Sequence, residues 1–316
     1  MSPKMIKRTL EISRQPAHLS VRLGQLLLKT DGNLLASIPC EDLGVIVVDQ
    51  PSTTYSHAAL TELARQDAIL VLCGSDHLPC GMLLPLSDHN LVVLRLRLQM
   101  DVARPVKKRL WQQLIRAKIL AQAANLDPES STTRQLRAMA ADVRSGDPTN
   151  REAVAAKKYW ASWLMEAPES VAESNGFRRD PTLDGLNSLL NYGYAIVRAC
   201  LARAITAAGL HPAIGIHHSN RSNAFCLADD LIEPLRPLVD ARVRQLAFAG
   251  ETELTQSVKA ELLSLLTEEV QTGKEMGPLS VAVHRYVMSL VRVLEKQSQE
   301  ILVPIRCTSA HTVECG

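Results

Sequence analysis

Only 3% of the 316 residues are aromatic. A platform on which successive single-stranded bases could stack is therefore poorly supplied. No apolar run approaches the ~20 residues that a membrane-spanning helix needs. The opening segment, MSPKMIKRTLEI, is charged and lacks the apolar centre of a signal peptide. The expectation is a cytoplasmic protein with no membrane partner. None of the seven cysteines (Cys40, Cys73, Cys80, Cys200, Cys226, Cys307 and Cys315) forms a CxxC pair. That argues against a zinc ribbon and leaves them as core-filling thiols of a reducing compartment. Neither GxxxxGKS/T nor GxGxxG occurs, so no motif supports nucleotide binding. Internal repeats and low-complexity segments are also missing.

What is present is an ordinary globular composition, 46% hydrophobic, in a chain long enough for two domains. The net charge of +2 says little; its distribution says more. Residues 95–118 hold eight basic side chains (Arg95, Arg97, Arg104, Lys107, Lys108, Arg109, Arg116 and Lys118) against one acid, Asp101. Such a segment suits a phosphate-binding face, and backbone contacts to a duplex fit better than base stacking. A solvated basic helix is the plainer alternative.

The first part reads as β structure. HLSVRLGQLLLKT and NLLASIP flank Asp31-Gly32, a two-residue hairpin signal. GVIVVDQ (44–50), AILVLCG (68–74) and CGMLLPL (80–86) are strand candidates. Ser56 is placed to cap a helix, HAALTELARQD, with Ala59, Leu60, Leu63 and Ala64 at helical spacing. Near Asp88 the texture changes, and helical periodicity follows to the end. One stripe joins Val106, Leu110, Leu114, Ala117, Ala121 and Ala124, and Asn125-Leu-Asp-Pro128 ends that helix. Further helices are expected at 133–144, 149–165, 182–207, 226–247, 253–271 and 278–299. The fold class is thus α+β: a small N-terminal β-strand domain (1–88) followed by a larger all-α C-terminal domain (89–316).

The residues with metal-ligand chemistry lie in the helical part. Glu152 sits in NREAVAAKKYW. Thr149-Asn-Arg-Glu152 is also a capping-box pattern, in which the glutamate would serve the helix end. Ala155, Ala156 and Tyr159 follow on the same face, and two small residues let another helix approach. His217 and His218 precede Asp229, Asp230 and Glu233. Two adjacent histidines cannot both point into one small site, so at most one binds metal. Asp229–Glu233 is an i, i+4 pair and Asp230–Glu233 an i, i+3 pair, so they could share a helix face, although acids near a helix start also suit its dipole. One imidazole and separated carboxylates suit Mn²⁺ or Mg²⁺. In the tail, Cys307, His311 and Cys315 have a spacing open to a soft metal; an untethered terminus explains them more simply.

GLHPAIGIHHSNRSNAFCLADDLIEPLRPLVD resembles the signature of the CRISPR-associated integrase that captures new spacers, the "Cas-one" family, in its type II-like form. HLSVRLGQLLLKTDG, IPCEDLGVIVVDQPSTTYSHAAL and HLPCGMLLPL resemble its β domain. NREAVAAKKYW and LNSLLNYGYAIV resemble its helical domain, and order and spacing agree over about residues 5–300. The resemblance puts the metal ligands, which are also the catalytic residues, on Glu152, His218 and Glu233. Asp229 or Asp230 would assist or substitute, and Asn187 and Tyr194 would border the site. Ala153 departs from the glycine that many members carry, a change that a helix interior accepts. Lys107, Lys108, Arg109, Arg116, Arg178 and Arg179 would position double-stranded DNA.

The resemblance also implies a metal-dependent DNA endonuclease and integrase of antiviral and plasmid defence, using Mg²⁺ or Mn²⁺. It would join 3′-hydroxyl ends of short duplexes into the repeat array by transesterification, with no need for ATP. A homodimer, formed through the β domain, would assemble with the small "Cas-two" protein into a heterohexamer. The type II effector nuclease would help select fragments. Two other classes remain open at this point: a stand-alone nuclease on branched or damaged DNA, and a non-catalytic DNA-binding assembly protein.

Overall fold

The structure is a computed structural model, and it describes residues 7–86, 90–165 and 177–306. Asp88, Cys307, His311 and Cys315 lie outside the described residues. In chain order the β part comprises β1 (Arg8–Ile12), β2 (His18–Arg22), β3 (Gln25–Thr30), β4 (Asn33–Pro39), β5 (Leu43–Val48), β6 (Thr54–Tyr55), α1 (His57–Arg65), β7 (Ile69–Cys73) and β8 (Pro79–Leu83). Two four-stranded sheets result, ordered β4-β3-β2-β6 and β1-β5-β7-β8. The expected hairpin closes at Asp31-Gly32, where both residues have positive φ (49° and 81°), as a tight primed turn requires. A second hairpin, β2–β3, turns at Leu23-Gly24 with φ 50° and 71°. Reading HLSVRLGQLLLKT as one continuous run missed it. Ser56 caps α1, its Oγ accepting from Ala59 N at 3.2 Å.

β5 shows how this part meets the rest. It lies between parallel neighbours β1 and β7, and all six of its residues are buried. Successive side chains face opposite ways. Ile46 and Val48, with Leu70, join a small core with Leu19, Leu26 and Leu63. Val45 and Val47, with Ile69 and Val71, join the main core of the helical part. Asp49, just past β5, pairs with Lys259 in a buried contact and accepts from His77 Nδ1 at 2.9 Å.

The helical part contains α2 (Val92–Met100), α3 (Arg104–Ala124), α4 (Ser131–Ala141), α5 (Arg151–Ser162), α6 (Leu186–Ala207), α7 (Cys226–Ile232), α8 (Arg236–Phe248), α9 (Gln256–Ser264) and α10 (Leu279–Leu294). α6 is buried over most of its surface, the mark of a central helix. At Gly193 it meets α8 so closely that a Cβ would stand 2.4 Å from Val239 Cγ1. Among the described residues, no helix is long and apolar enough to cross a membrane.

Three expected elements differ. The 226–247 helix breaks into α7, a 3-10 turn at Glu233–Leu235, and α8. Pro234 lacks the N–H that a continuous helix would use, and Pro237 starts α8 instead. The 253–271 helix ends early and gives way to β9 (Glu269–Thr272), which pairs with β10 (Glu275–Pro278) and β11 (Ile305–Arg306). Val270 and Thr272 face inward while Glu269 is exposed, a period of two rather than 3.6. The largely helical part thus carries one small sheet. Finally, α3 buries Leu110, Trp111, Leu114, Ile115, Lys118, Ile119, Gln122 and Ala123, a stripe rotated from the expected one.

Candidate metal centre

Glu152 occupies the first turn of α5. Asp147 serves that helix end: its Oδ1 accepts from Arg151 N at 2.8 Å and its Oδ2 from Glu152 N at 3.0 Å. The glutamate is therefore not the cap, and its Oε1 accepts from Lys118 Nζ at 2.6 Å. Glu233 stands at the joint between α7 and α8. It contacts the same Lys118 ammonium and accepts from Arg236 Nε at 2.9 Å. Burial would raise its pKa, but Arg236 and Lys118 outweigh burial and hold it at about 2. Burial likewise opposes the charge of Lys118, and the two carboxylates more than compensate, raising its pKa.

A cavity of about 210 Å³ opens beside this cluster, lined also by Gln122, Trp160, Arg179 and Tyr194. Tyr194 donates its hydroxyl to Asp240 on α8. Arg236 lies over the Tyr194 ring at 4.6 Å from its centroid, and Arg179 at 5.4 Å. Burial drives the Asp240 carboxyl up to about 7, against the pull of Tyr194, Tyr159 and Arg236.

The histidine loop is built around Asp230, which is fully buried. Its carboxylate accepts from the backbone N–H groups of Ile216 (2.6 Å), His217 (2.9 Å) and His218 (3.1 Å). It also meets His218 Nδ1 at 2.7 Å. That contact, partly offset by burial, raises the His218 pKa. In neutral His218 it fixes the proton on Nδ1 and leaves Nε2 with a lone pair. Gly215 lets the chain turn this tightly, since a Cβ there would sit 2.2 Å from His218 O. His217 stacks on Trp111, with ring centroids 4.0 Å apart and planes 5° from parallel.

Of the expected ligands, Glu152 and Glu233 are brought together through Lys118, while His218 is held by Asp230. Among the described residues, no three of His, Cys, Asp and Glu converge as a metal-holding group. Asp229 turns elsewhere, to Asn223 Nδ2 at 2.6 Å and Arg198 at 3.7 Å. Asn187 accepts from Arg179 Nη1 at 2.8 Å and from Asp180 N at 2.9 Å, tying down the 178–180 segment.

The basic residues divide into two sets. Lys108, Arg116 and Arg178 are exposed, and Lys107 and Arg109 are half-buried. Arg179, by contrast, is a wall of the cavity, and Arg95 is buried against Glu295 and Ala208 O. Lys118 too is inside, so the basic segment is not one solvated face. The sequence reading missed Lys118 as a site residue. Its signal was a lysine at a core position of α3, with Gln122 one turn on. It also missed Arg236 and Asp240, both inside the quoted DLIEPLRPLVD.

The fold and site together define a two-part protein, with a β unit feeding one sheet face into a helical unit that holds a buried glutamate, Glu233, and a partly buried one, Glu152, around a single lysine. The family model for CRISPR associated protein Cas1 matches residues 10–272, and the chain belongs to that family. A CRISPR-associated endonuclease Cas1 from Neisseria meningitidis serogroup C is 35% identical over 291 residues, 90% of this chain and 92% of the relative. One from Pyrobaculum aerophilum is 32% identical over 207 residues, 64% of this chain and 63% of the relative. A casposase bound to integration product has a similar fold, with TM-score 0.78 at 20% identity over 94% of this chain and 93% of that one. So does a chain of a Cas6-RT-Cas1–Cas2 complex, with TM-score 0.76 at 16% identity over 94% of this chain and 36% of that one.

Proposed function

We propose that the chain is a metal-dependent DNA endonuclease and integrase of CRISPR adaptation, joining 3′-hydroxyl ends of short duplexes into the repeat array. The observation that carries this reading is the pairing of Glu152 and Glu233 around one cation, in a chain 35% identical to a Cas1 endonuclease across nine-tenths of its length. The donor set fits the group: two carboxylates are hard oxygen ligands suited to Mg²⁺ or Mn²⁺. Glu152, Glu233 and His218, through Nε2, would hold the ion; the reading requires the histidine loop to bring that nitrogen to the carboxylates. When bound, the ion supplies Lewis-acid polarisation of a phosphoryl oxygen and makes the attacking hydroxyl more acidic.

The chain's own residues prepare this step. Arg236 keeps Glu233 ionised, and Asp230 fixes the His218 tautomer. Tyr194 and the Arg179 wall shape the cavity in which the phosphodiester is positioned. Lys107, Lys108, Arg109, Arg116 and Arg178 hold the duplex backbone. One phosphodiester forms as another breaks, so no nucleotide is consumed. A chain of similar fold comes from a Cas6-RT-Cas1–Cas2 complex. That likeness favours a small Cas2-type partner; a homodimer, its assembly with that partner into a heterohexamer, and help from the type II effector nuclease belong to the same proposal and rest on the family resemblance.

Calorimetric titration with Mn²⁺ tests the site. The native chain is expected to bind it stoichiometrically, and Glu152→Ala and His218→Ala to weaken binding at least tenfold while retaining duplex affinity. Unchanged Mn²⁺ binding in both variants would remove these residues from the site.

A further inference from the structure

We propose that Lys118 is a tethered counter-cation, which yields its place between Glu152 and Glu233 to the divalent ion and turns to Gln122. The inference rests on the metal-dependent reading above. Lys118 is 9% exposed, and a charge so buried needs partners. It has two, Glu152 Oε1 at 2.6 Å and Glu233 Oε2 in direct contact. A divalent ion held by the same carboxylates would need the space and the lone pairs that this ammonium uses.

Lys118, rather than Arg236, is the cation built to move. Arg236 keeps its Nε on Glu233 Oε1 at 2.9 Å and its guanidinium over the Tyr194 ring, so a charged contact and a ring face hold it together. Lysine instead carries a compact charge on a flexible four-carbon stem. It also has somewhere to go. Gln122 lies one turn further along the same face of α3 and is 2% exposed. Its Oε1 is buried without a hydrogen-bond partner, and it lines the same cavity as Lys118. A buried acceptor with nothing to accept from is costly to keep, and a displaced ammonium would satisfy it.

The charges give the move a consequence. Glu152 and Glu233 balance Lys118 and Arg236, so the cluster is neutral. With a divalent ion added and Lys118 still nearby, it carries a surplus of two positive charges. An anionic DNA strand neutralises that surplus, so Lys118 couples metal occupancy to strand binding.

Lys118→Met and Lys118→Gln remove the competing charge while keeping most of the stem. Both, checked for a native far-UV spectrum and a cooperative melt, are titrated with Mn²⁺ in the absence of DNA. The expected result is at least tenfold tighter binding than in the native chain, about 1.4 kcal/mol. Mn²⁺ should also raise the melting temperature more in the variants than in the native chain. Equal or weaker binding in folded variants would overturn the inference while leaving the metal site intact. Failure of the native chain to take up Mn²⁺ would overturn the metal-dependent reading, and this inference with it.

Discussion

At the scale of single residues, the site separates two acids by their surroundings. Glu233 is held at about 2 by Arg236 and Lys118, whereas burial drives Asp240 up to about 7. One stays ionised and the other carries a proton near neutrality, within one cavity. Asp240 binds its proton more tightly folded than unfolded, where its value is 3.8. Its stabilising contribution is therefore complete below the unfolded value and is lost as pH rises through about 7. Asp240→Asn cannot titrate. Urea midpoints should accordingly show the variant gaining on the native chain between pH 4 and pH 8; a constant gap would contradict the raised value. Glu152, His218 and Glu233 were singled out in the sequence by the family resemblance of the short segments around them, since capping and helix-dipole roles explain the acids equally well by spacing alone. Lys118 was not, because charge counting over 95–118 carries no direction. Only the packed helix shows that this lysine points inward while Lys108 and Arg116 do not.

At the scale of elements, what was legible followed from short-range rules, and what was not depended on packing. Asp31-Gly32 and Ser56 stated a turn and a cap outright. The stripe on α3 was misplaced because alanines at 117, 121 and 124 fit either face, and the tertiary contacts chose the face with Trp111 and Ile115. The 253–271 reading failed because Leu262, Leu263, Leu265 and Leu266 prolonged an apolar pattern past the helix end. Close approach of α6 and α8 positions Tyr194 beside Asp240, and Gly193 permits it. Gly193→Ala adds a methyl 2.4 Å from Val239 Cγ1. Overpacking costs about 1–3 kcal/mol, against a helix-propensity gain of about 1 kcal/mol. The denaturation midpoint should therefore fall with an unchanged slope. A midpoint that rises would show that the helices have room to part.

At the scale of the whole molecule, the β unit and the helical unit share a core through β5 and β7, so the site is framed by a continuous structure. The exposed basic residues lie outside that frame, where the duplex backbone would pass. Replacing Lys107, Lys108 and Arg116 with alanine should weaken duplex binding alike for unrelated sequences. Each lost phosphate contact should reduce the slope of log K against log salt by about 0.9. Arg179→Ala should leave the slope nearly unchanged, since that guanidinium is engaged by Asn187 and Asn191 at 2.8 and 2.6 Å. An equal slope change in both would contradict this division.

The most direct measurement follows the fate of labelled DNA ends. The chain and its small partner are incubated with a 3′-hydroxyl duplex and a supercoiled plasmid bearing the repeat, in Mn²⁺, Mg²⁺ or EDTA. The account predicts metal-dependent joining of label to plasmid, abolished in Glu233→Ala, with duplex binding retained. Metal-dependent cutting without joining, or joining that survives in Glu233→Ala, would contradict it.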